Sequence, residues 1–434
     1  MAAEPIADGA VVIRGGRIVA VGPADEVAAL HPDAAVDDLG ASALIVPGFV
    51  DAHCHLEWSA FDGVIGPRPF GAWLADFFPR RRRMDEADHL VAAIEGARAA
   101  AVAGTTLVAD SGPTGAGVEA LARAGLRGVV HLETFGAPAR DDEARALADA
   151  VARRVVAAEE RAVRIGAGRV RAGLSPHAPY SVGPSLWRAL AADPRTAGLS
   201  WATHVAESAD EERLLAEGTG PLADLFAAAG VTPGHWPHPQ EGARVVARLS
   251  HHGALRAGLV AAHCVRLEDD DAAVLAAAGV AVAHCPRSNR HLQCGTAPLG
   301  ALRAAGVEVA LGTDSPASGG DYDLRAEARA CMAAHGPAGP GAAEGLRLIT
   351  AGGAAALGMG AVAGALSPGR PADLVVLEAP GPVAGHPAAA ALGQATRVRR
   401  VLVAGAPVAT DGATTALDDE RVRAEALTLN ARLR

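Results

Sequence analysis

Between about residues 44 and 360 the chain repeats one unit: a short apolar run rich in β-branched residues, then an Ala-rich stretch of helical period. The unit returns at a spacing of roughly 30 residues, which is the length of a βα pair in a parallel sheet. Eight runs qualify as strands: 44–55, 105–110, 127–135, 170–180, 199–207, 259–265, 280–289 and 307–315. Helical stretches such as 86–103, 142–163 and 270–279 lie between them. Eight such units predict an α/β fold of the (β/α)8 TIM barrel type. A doubly wound open sheet is the rival arrangement. The Pro/Gly-rich stretch 336–343 reads as a loop before a last helix. Residues 10–22, AVVIRGGRIVAVG, read as a Gly-Gly hairpin, and 372–377 and 397–408 have the same strand character at the other end of the chain. A small β-sandwich domain built from both termini follows. The expected partition is 1–46 and 363–434 for the sandwich and 47–362 for a metal-dependent barrel.

Composition removes several chemistries. All 39 basic residues of the 434 are Arg, because the chain has no lysine. Schiff-base and pyridoxal catalysis and a Walker-type phosphate loop all need a Lys amine. A carbamylated lysine bridging two metals is excluded in the same way. The net charge of −10 argues against a nucleic-acid partner, which would need a basic face. The five cysteines, Cys54, Cys264, Cys285, Cys294 and Cys331, form an odd set. With no basic-then-apolar export signal at the start, they read as reduced, small packed residues of a cytoplasmic chain. No apolar run is long enough for a membrane span.

Polar residues crowd the C-terminal ends of the expected strands: His53, His55, His131, Glu133, His177, His204, Glu207, His263, Arg287, Asn289 and Asp314. Barrel enzymes draw their catalytic groups from those ends. His53 and His55 are two apart on a strand, so both side chains point to one face. Alone, such a pair reads equally as two hydrogen-bonded histidines. With His204 ending the fifth strand and Asp314 the eighth, three imidazoles and a carboxylate suit one divalent metal ion, Zn²⁺ ahead of Fe²⁺, with a position left for water.

The segments PGFVDAHCHLE (47–57), THVAES (203–208), AHC (262–264), HCPRSN (284–289) and LGTDSPAS (311–318) resemble the amidohydrolase superfamily. The likeness is to its cytosine deaminase, guanine deaminase and chlorohydrolase-like branch. It spans nearly the whole chain; PGRPADLVVLE resembles the return from barrel to sandwich. The resemblance implies one metal on His53, His55, His204 and Asp314. The fourth strand ends in SPHAPY, where binuclear members carry a modified Lys. It further implies that Asp314 accepts a proton from water, that Glu207 protonates a ring nitrogen, and that His263 orients the nucleophile. Without it, Glu207 reads as a helix N-terminal carboxylate and His263 as a packed barrel-end histidine.

On the substrate side the resemblance implies contacts from His177 and Arg287, with Asn289 in the same seventh-strand motif. Glu57 and Trp58 follow the metal pair and suit ribose hydroxyls and a stacked heterocycle; a solvated acid and a packed aromatic are the plain alternatives. Arg287 suits an anionic substituent. Aromatic residues are only 3% of the chain, yet Trp58, Phe61, Phe70, Trp73, Phe77 and Phe78 lie within 58–78. They predict a lid, a subunit interface or ordinary packing. The run Arg80–Arg83 reads as a solvated face, with an anion clamp as the alternative. His235, His238, His251 and His252 read as surface residues. The expected activity is a mononuclear metal-dependent hydrolytic deaminase of an aminated heterocycle, such as the purine nucleoside derivative aminodeoxyfutalosine. A chlorohydrolase-like or other C–N hydrolase is the alternative, and a non-catalytic binding relative a remote one. A homodimer is compatible with such a barrel, and no motif specifies it.

Overall fold

The computed structural model describes residues 4–137, 140–231, 244–383 and 385–434. Fifteen strands build it: β1 (Gly9–Arg14), β2 (Arg17–Pro23), β3 (Ala43–Pro47), β4 (Phe49–Cys54), β5 (Thr105–Gly112), β6 (Arg127–Thr134), β7 (Val170–Pro176), β8 (Trp201–Val205), β9 (Leu259–His263), β10 (Ala281–His284), β11 (Val309–Leu311), β12 (Leu374–Glu378), β13 (Arg397–Val403), β14 (Ala406–Thr410) and β15 (Ala413–Thr414). Strands β4 to β11 form one parallel sheet in sequential order. Each of the eight expected runs contributes one of them, and the rival open sheet is not formed. The edges meet where Cys54 bridges Asp314. There the His55 N–H donates to Asp314 O at 2.8 Å and the Asp314 N–H to His53 O at 3.0 Å. The barrel therefore closes on residues expected to hold the metal.

The run 44–55 is not a single strand. Its first half, β3, pairs antiparallel with β12 in a five-stranded sheet of order β15-β14-β13-β12-β3, while its second half, β4, opens the barrel. Gly48 is the break. A Cβ there would collide with the Thr106 side chain of β5. Its N–H donates to Asp373 O at 3.1 Å. The hairpin β1–β2 forms a separate antiparallel sheet. The terminal sheet is stitched to the barrel by the buried Arg127–Asp373 ion pair at 2.5 Å.

Helix Glu86–Val102 begins on a reciprocal cap: the Asp88 N–H donates to Asp85 and the Asp85 N–H to Asp88. Such a box satisfies two orphan N–H groups of a helix start. The helix buries Ala92, Ala93, Gly96, Ala97, Ala100 and Ala101, a small-residue face that lets it lie close against the turn Leu56–Phe61. The expected aromatic segment becomes that turn plus helix Phe70–Arg81. Its rings pack on one another: Trp73 and Phe77 stack at 4.7 Å, and Trp58 meets Phe77 edge-on at 5.3 Å. All five cysteines are buried and free. Among the described residues no helix is long and apolar enough to cross a membrane.

Candidate metal and catalytic site

Alternation along β4 sends Val50 and Ala52 into an apolar cluster with Leu107, Ala109 and Val260. Asp51 instead accepts from the Thr313 N–H and hydroxyl, and the register of β4 against β5 shifts between Asp51 and Cys54, the stretch that carries His53. His55 follows the strand end. His53, His55 and His204 bring ligand atoms within 4.8 Å of one another, and so do His53, His263 and Asp314. All are buried. The strand ends that place them carry left-handed backbone at non-glycine residues: Ala206 (φ 49°), His263 (φ 70°), Cys264 (φ 48°) and Asp314 (φ 58°). Such conformations cost energy and persist where the surroundings enforce them, typically at functional sites.

Hydrogen bonds fix which nitrogen each imidazole presents. His55 Nδ1 lies 2.8 Å from Ser111 O, and His204 Nδ1 lies 2.8 Å from His177 O. A carbonyl oxygen only accepts, so both Nδ1 atoms carry the ring proton and both Nε2 atoms present lone pairs. Those two Nε2 atoms face each other at 3.2 Å. His53 Nε2 is buried with no hydrogen-bond partner. Two acceptors in contact, with a third beside them, repel unless a cation lies between them. Asp314 adds the carboxylate. Its Oδ2 accepts from Ser288 Oγ at 2.5 Å and Ser318 Oγ at 2.7 Å. Its Oδ1 stands 3.3 Å from His55 Nε2 and 3.9 Å from His53 Nε2. This donor set fits one divalent ion of the kind neutral imidazole and carboxylate hold.

The protonation states agree. Burial, then His55 and His204, holds His53 well below the ordinary histidine value. Burial, then His55 and His263, pushes His204 down to about 3. For Asp314 burial acts upward, but His55, His263 and the two serine hydroxyls outweigh it and keep the carboxyl below its ordinary value. Glu207 behaves oppositely: burial, then Asp314, raises it well above the ordinary carboxylate value. The two carboxyls are pushed in opposite directions, one toward its ionised form and its neighbour toward its protonated form, the division of labour a base and an acid need. Glu207 Oε1 lies 3.6 Å from His263 Nε2. His263 Nδ1 is fixed 2.9 Å from Asn289 Oδ1. The Glu207 N–H donates to Glu211 at 2.8 Å, which anchors the turn after β8.

The expected substrate contacts fall into different places. His177 is half-buried, its Nδ1 2.7 Å from Ser181 Oγ and its ring 4.7 Å from that of His204. Asn289 is buried between His263 and His284, 3.4 Å from His284 Nδ1. Glu57 is wholly buried, accepting from the Thr114 and Gly115 N–H groups and lying 2.8 Å from His89 Nδ1. Trp58 is buried in the aromatic cluster under Arg81, whose guanidinium lies 5.0 Å from its ring. Arg287 is held by Asp321 at 2.6 Å and Glu327 at 3.4 Å. His252 is buried, against the surface position expected for it, while His251 is exposed; His235 and His238 lie outside the described residues.

Two residues without an assigned role from sequence stand at the site. Glu133, ending β6, has a buried, unpartnered Oε1 3.7 Å from His55 Nδ1. It groups with His177 and His204. Arg81 lies over Trp58 and, at 5.5 Å, over Phe135. It is close enough to act electrostatically on both Glu133 and His177. The only sequence signals were the strand-end position of Glu133 and the place of Arg81 in a four-arginine run.

Residues 44–408 match the Amidohydrolase family, and residues 9–34 match a bacterial imidazolonepropionase-like composite domain. The chain is 35% identical to an aminodeoxyfutalosine deaminase of Deinococcus radiodurans over 74% of each protein. It is 30% identical to a 5-methylthioadenosine/S-adenosylhomocysteine deaminase of Pelotomaculum thermopropionicum, over 96% of this chain and 92% of that one. An adenosine deaminase of Xanthomonas campestris with bound zinc superposes with a TM-score of 0.79 and 26% identity, over 98% of this chain and 94% of that one. A sheet closed beside a cluster of buried histidines and an aspartate, matched along nearly its whole length, leaves one conclusion: the chain belongs to the amidohydrolase family, as a metal-dependent hydrolase whose relatives named here are deaminases.

Proposed function

We propose that the protein is a hydrolytic deaminase with one Zn²⁺ ion, acting on an aminated purine nucleoside derivative with an anionic tail, aminodeoxyfutalosine being the leading substrate. The facing Nε2 atoms of His55 and His204, 3.2 Å apart with Asp314 Oδ1 beside them, carry the reading. His53, His55, His204 and Asp314 hold the ion, which when bound supplies the Lewis acidity that makes water nucleophilic near neutral pH. Ser288 and Ser318 hold Oδ2 of Asp314, leaving Oδ1 to take a proton from the attacking water. Glu207 gives its proton to the ring nitrogen next to the amino-bearing carbon as the C–O bond forms. Asp314 then passes its proton to the amine, the C–N bond breaks, ammonia leaves, and the hydroxyl proton returns to Glu207 as the carbonyl forms. Neutral His263, its Nδ1–H held by Asn289, steadies the hydroxyl group in that passage.

On the substrate side, His177 and Glu133 face the heterocycle, Glu57 and Trp58 shape the wall, and Arg81 takes the anionic tail. The Arg81 guanidinium makes no hydrogen bond or ion pair among the described residues, whereas the Arg287 fork is already engaged by two carboxylates. Arg287 thus serves the anionic end, in this proposal, only by shaping the helix that carries Asn289. The acidic balance of the chain supports a small-molecule partner over nucleic acid. Cytoplasmic residence and a homodimeric state belong to the same proposal. The test is ammonia release by zinc-loaded protein from adenosine, 5′-methylthioadenosine and aminodeoxyfutalosine, beside chloride release from 6-chloropurine riboside and a chlorotriazine. The highest kcat/KM is expected for aminodeoxyfutalosine; chloride release without ammonia release from any nucleoside would overturn the reading in favour of a chlorohydrolase.

A further inference from the structure

A second group of soft donors converges away from the catalytic cluster. Cys331 and His335 stand four residues apart on helix Leu324–His335, so both project from one face. His284, at the end of β10, meets them across that face. The sulfur and the nearest ring nitrogens all lie within 4.8 Å of one another. The imidazoles of His284 and His335 are 5.8 Å apart at 68°. His284 is completely buried, and its Nε2 and that of His335 are both buried without a hydrogen-bond partner. Buried polar nitrogens are rarely left unsatisfied, and two facing a thiol share one remedy. Burial, then His335, pushes His284 down to about 3, so the imidazole is neutral and able to ligate. A cavity of about 450 Å³, lined by His284, Asn289, Gln293, Ala330 and Ala334, opens onto the His284 member of the group. It provides room for water beside His284.

We propose that His284, Cys331 and His335 form a second metal site, separate from the catalytic one and selective for borderline or thiophilic divalent ions such as Zn²⁺ and Cd²⁺. One sulfur and two imidazole nitrogens suit four-coordinate d¹⁰ ions and reject Mg²⁺ and Ca²⁺, which take oxygen. The spacing C-x₃-H on a helix holds two ligands on one side, and the third comes from a barrel strand, so the site is pinned by the fold rather than by a loop. Binding releases the Cys331 thiol proton to solvent and forms a metal–sulfur bond with no change in oxidation state. Affinity therefore falls as pH drops.

Chelator-stripped full-length protein titrated with Co²⁺ tests this without recourse to activity. A second bound equivalent is expected, and with it a near-ultraviolet sulfur-to-cobalt charge-transfer band that the thiol-free catalytic cluster cannot produce. Cys331→Ser should lose the band. His335→Ala should weaken the second equivalent at least tenfold. Both should keep the first equivalent and wild-type turnover, which also shows that they fold. Wild-type protein that binds one equivalent without the band, or a band that persists in Cys331→Ser, overturns the proposal. Neither outcome bears on the deaminase reading, which rests on other residues.

Discussion

Replacing Glu207 by Gln separates proton donation from simple hydrogen bonding. The Glu207 side chain is buried, and burial together with the nearby Asp314 charge favours its protonated form. A neutral carboxylic acid and a primary amide have almost the same size and both offer a donor to a ring nitrogen. Glu207→Gln should therefore bind substrate as the wild type does, but it has no proton to surrender as the ring nitrogen becomes basic. General acid catalysis is worth ~10²–10⁴ in rate, which is ~2.7–5.4 kcal/mol of barrier. The whole loss should appear in kcat. Glu207 is not among the four ligand groups, so the metal content should not change. Steady-state ammonia release at saturating nucleoside, paired with metal analysis of the same preparations, measures both. A kcat within tenfold of wild type, or a KM that rises in step with the lost kcat/KM, would refute the reasoning. The first would remove Glu207 from the chemistry, and the second would make it a binding residue.

Arg81→Ala should raise KM ~10–100-fold for a nucleoside with an anionic tail and leave that for adenosine within twofold, the loss of one charge-assisted hydrogen-bonding group; parallel KM measurements on the two substrates decide it. Gly312→Ala should weaken metal retention: a Cβ at that position would lie 2.6 Å from His53 O, against the strand that carries His53. Overpacking of that order costs ~1–3 kcal/mol, and residual metal after dialysis against a weak chelator reports it. Glu211 gives a pH signature. Burial raises it from 4.5 to about 8, so the folded chain keeps a proton that the unfolded chain has released between those values. Its stabilising contribution is full below pH 4.5 and lost as pH rises through about 8. Glu211→Gln should flatten that decline, read as urea midpoints compared between pH 5 and 9.

The barrel was legible because its signal is repetitive: eight apolar runs at one spacing, each ending in polar residues. The convergence of His53, His55, His204 and Asp314 was legible because strand-end position is a property of sequence. Three things were not. The split at Gly48 depends on a contact with Thr106 of the neighbouring strand, and the run 44–55 is continuous in hydrophobicity. The commitment of Arg287 to Asp321 and Glu327 depends on residues 34 and 40 positions away, folded over it by the β11 loop. The approach of Arg81 to Glu133 and His177 depends on the end of helix Phe70–Arg81 packing over Trp58 and Phe135, and a run of four arginines reads the same whether it faces solvent or substrate.

The tautomers show why the proposed ligand set belongs to the barrel rather than to any motif. The groups that force Nε2 of His55 and His204 inward are not side chains that a sequence pattern could display. They are the carbonyls of Ser111, ending β5, and of His177, just beyond β7. Each belongs to the strand adjoining the one that carries its histidine. Strand register therefore sets which ring nitrogen bears the proton, and the ring proton sets where the lone pair points. Slipping β5 by one residue against β4 would turn the Ser111 carbonyl away and release the His55 tautomer, while every motif remained intact. A substitution at Ser111 should be mild, because the contact uses its backbone. A proline at Gly112 or His177, which would reshape those backbone turns, should abolish metal retention, even though Gly112 contributes no functional side chain.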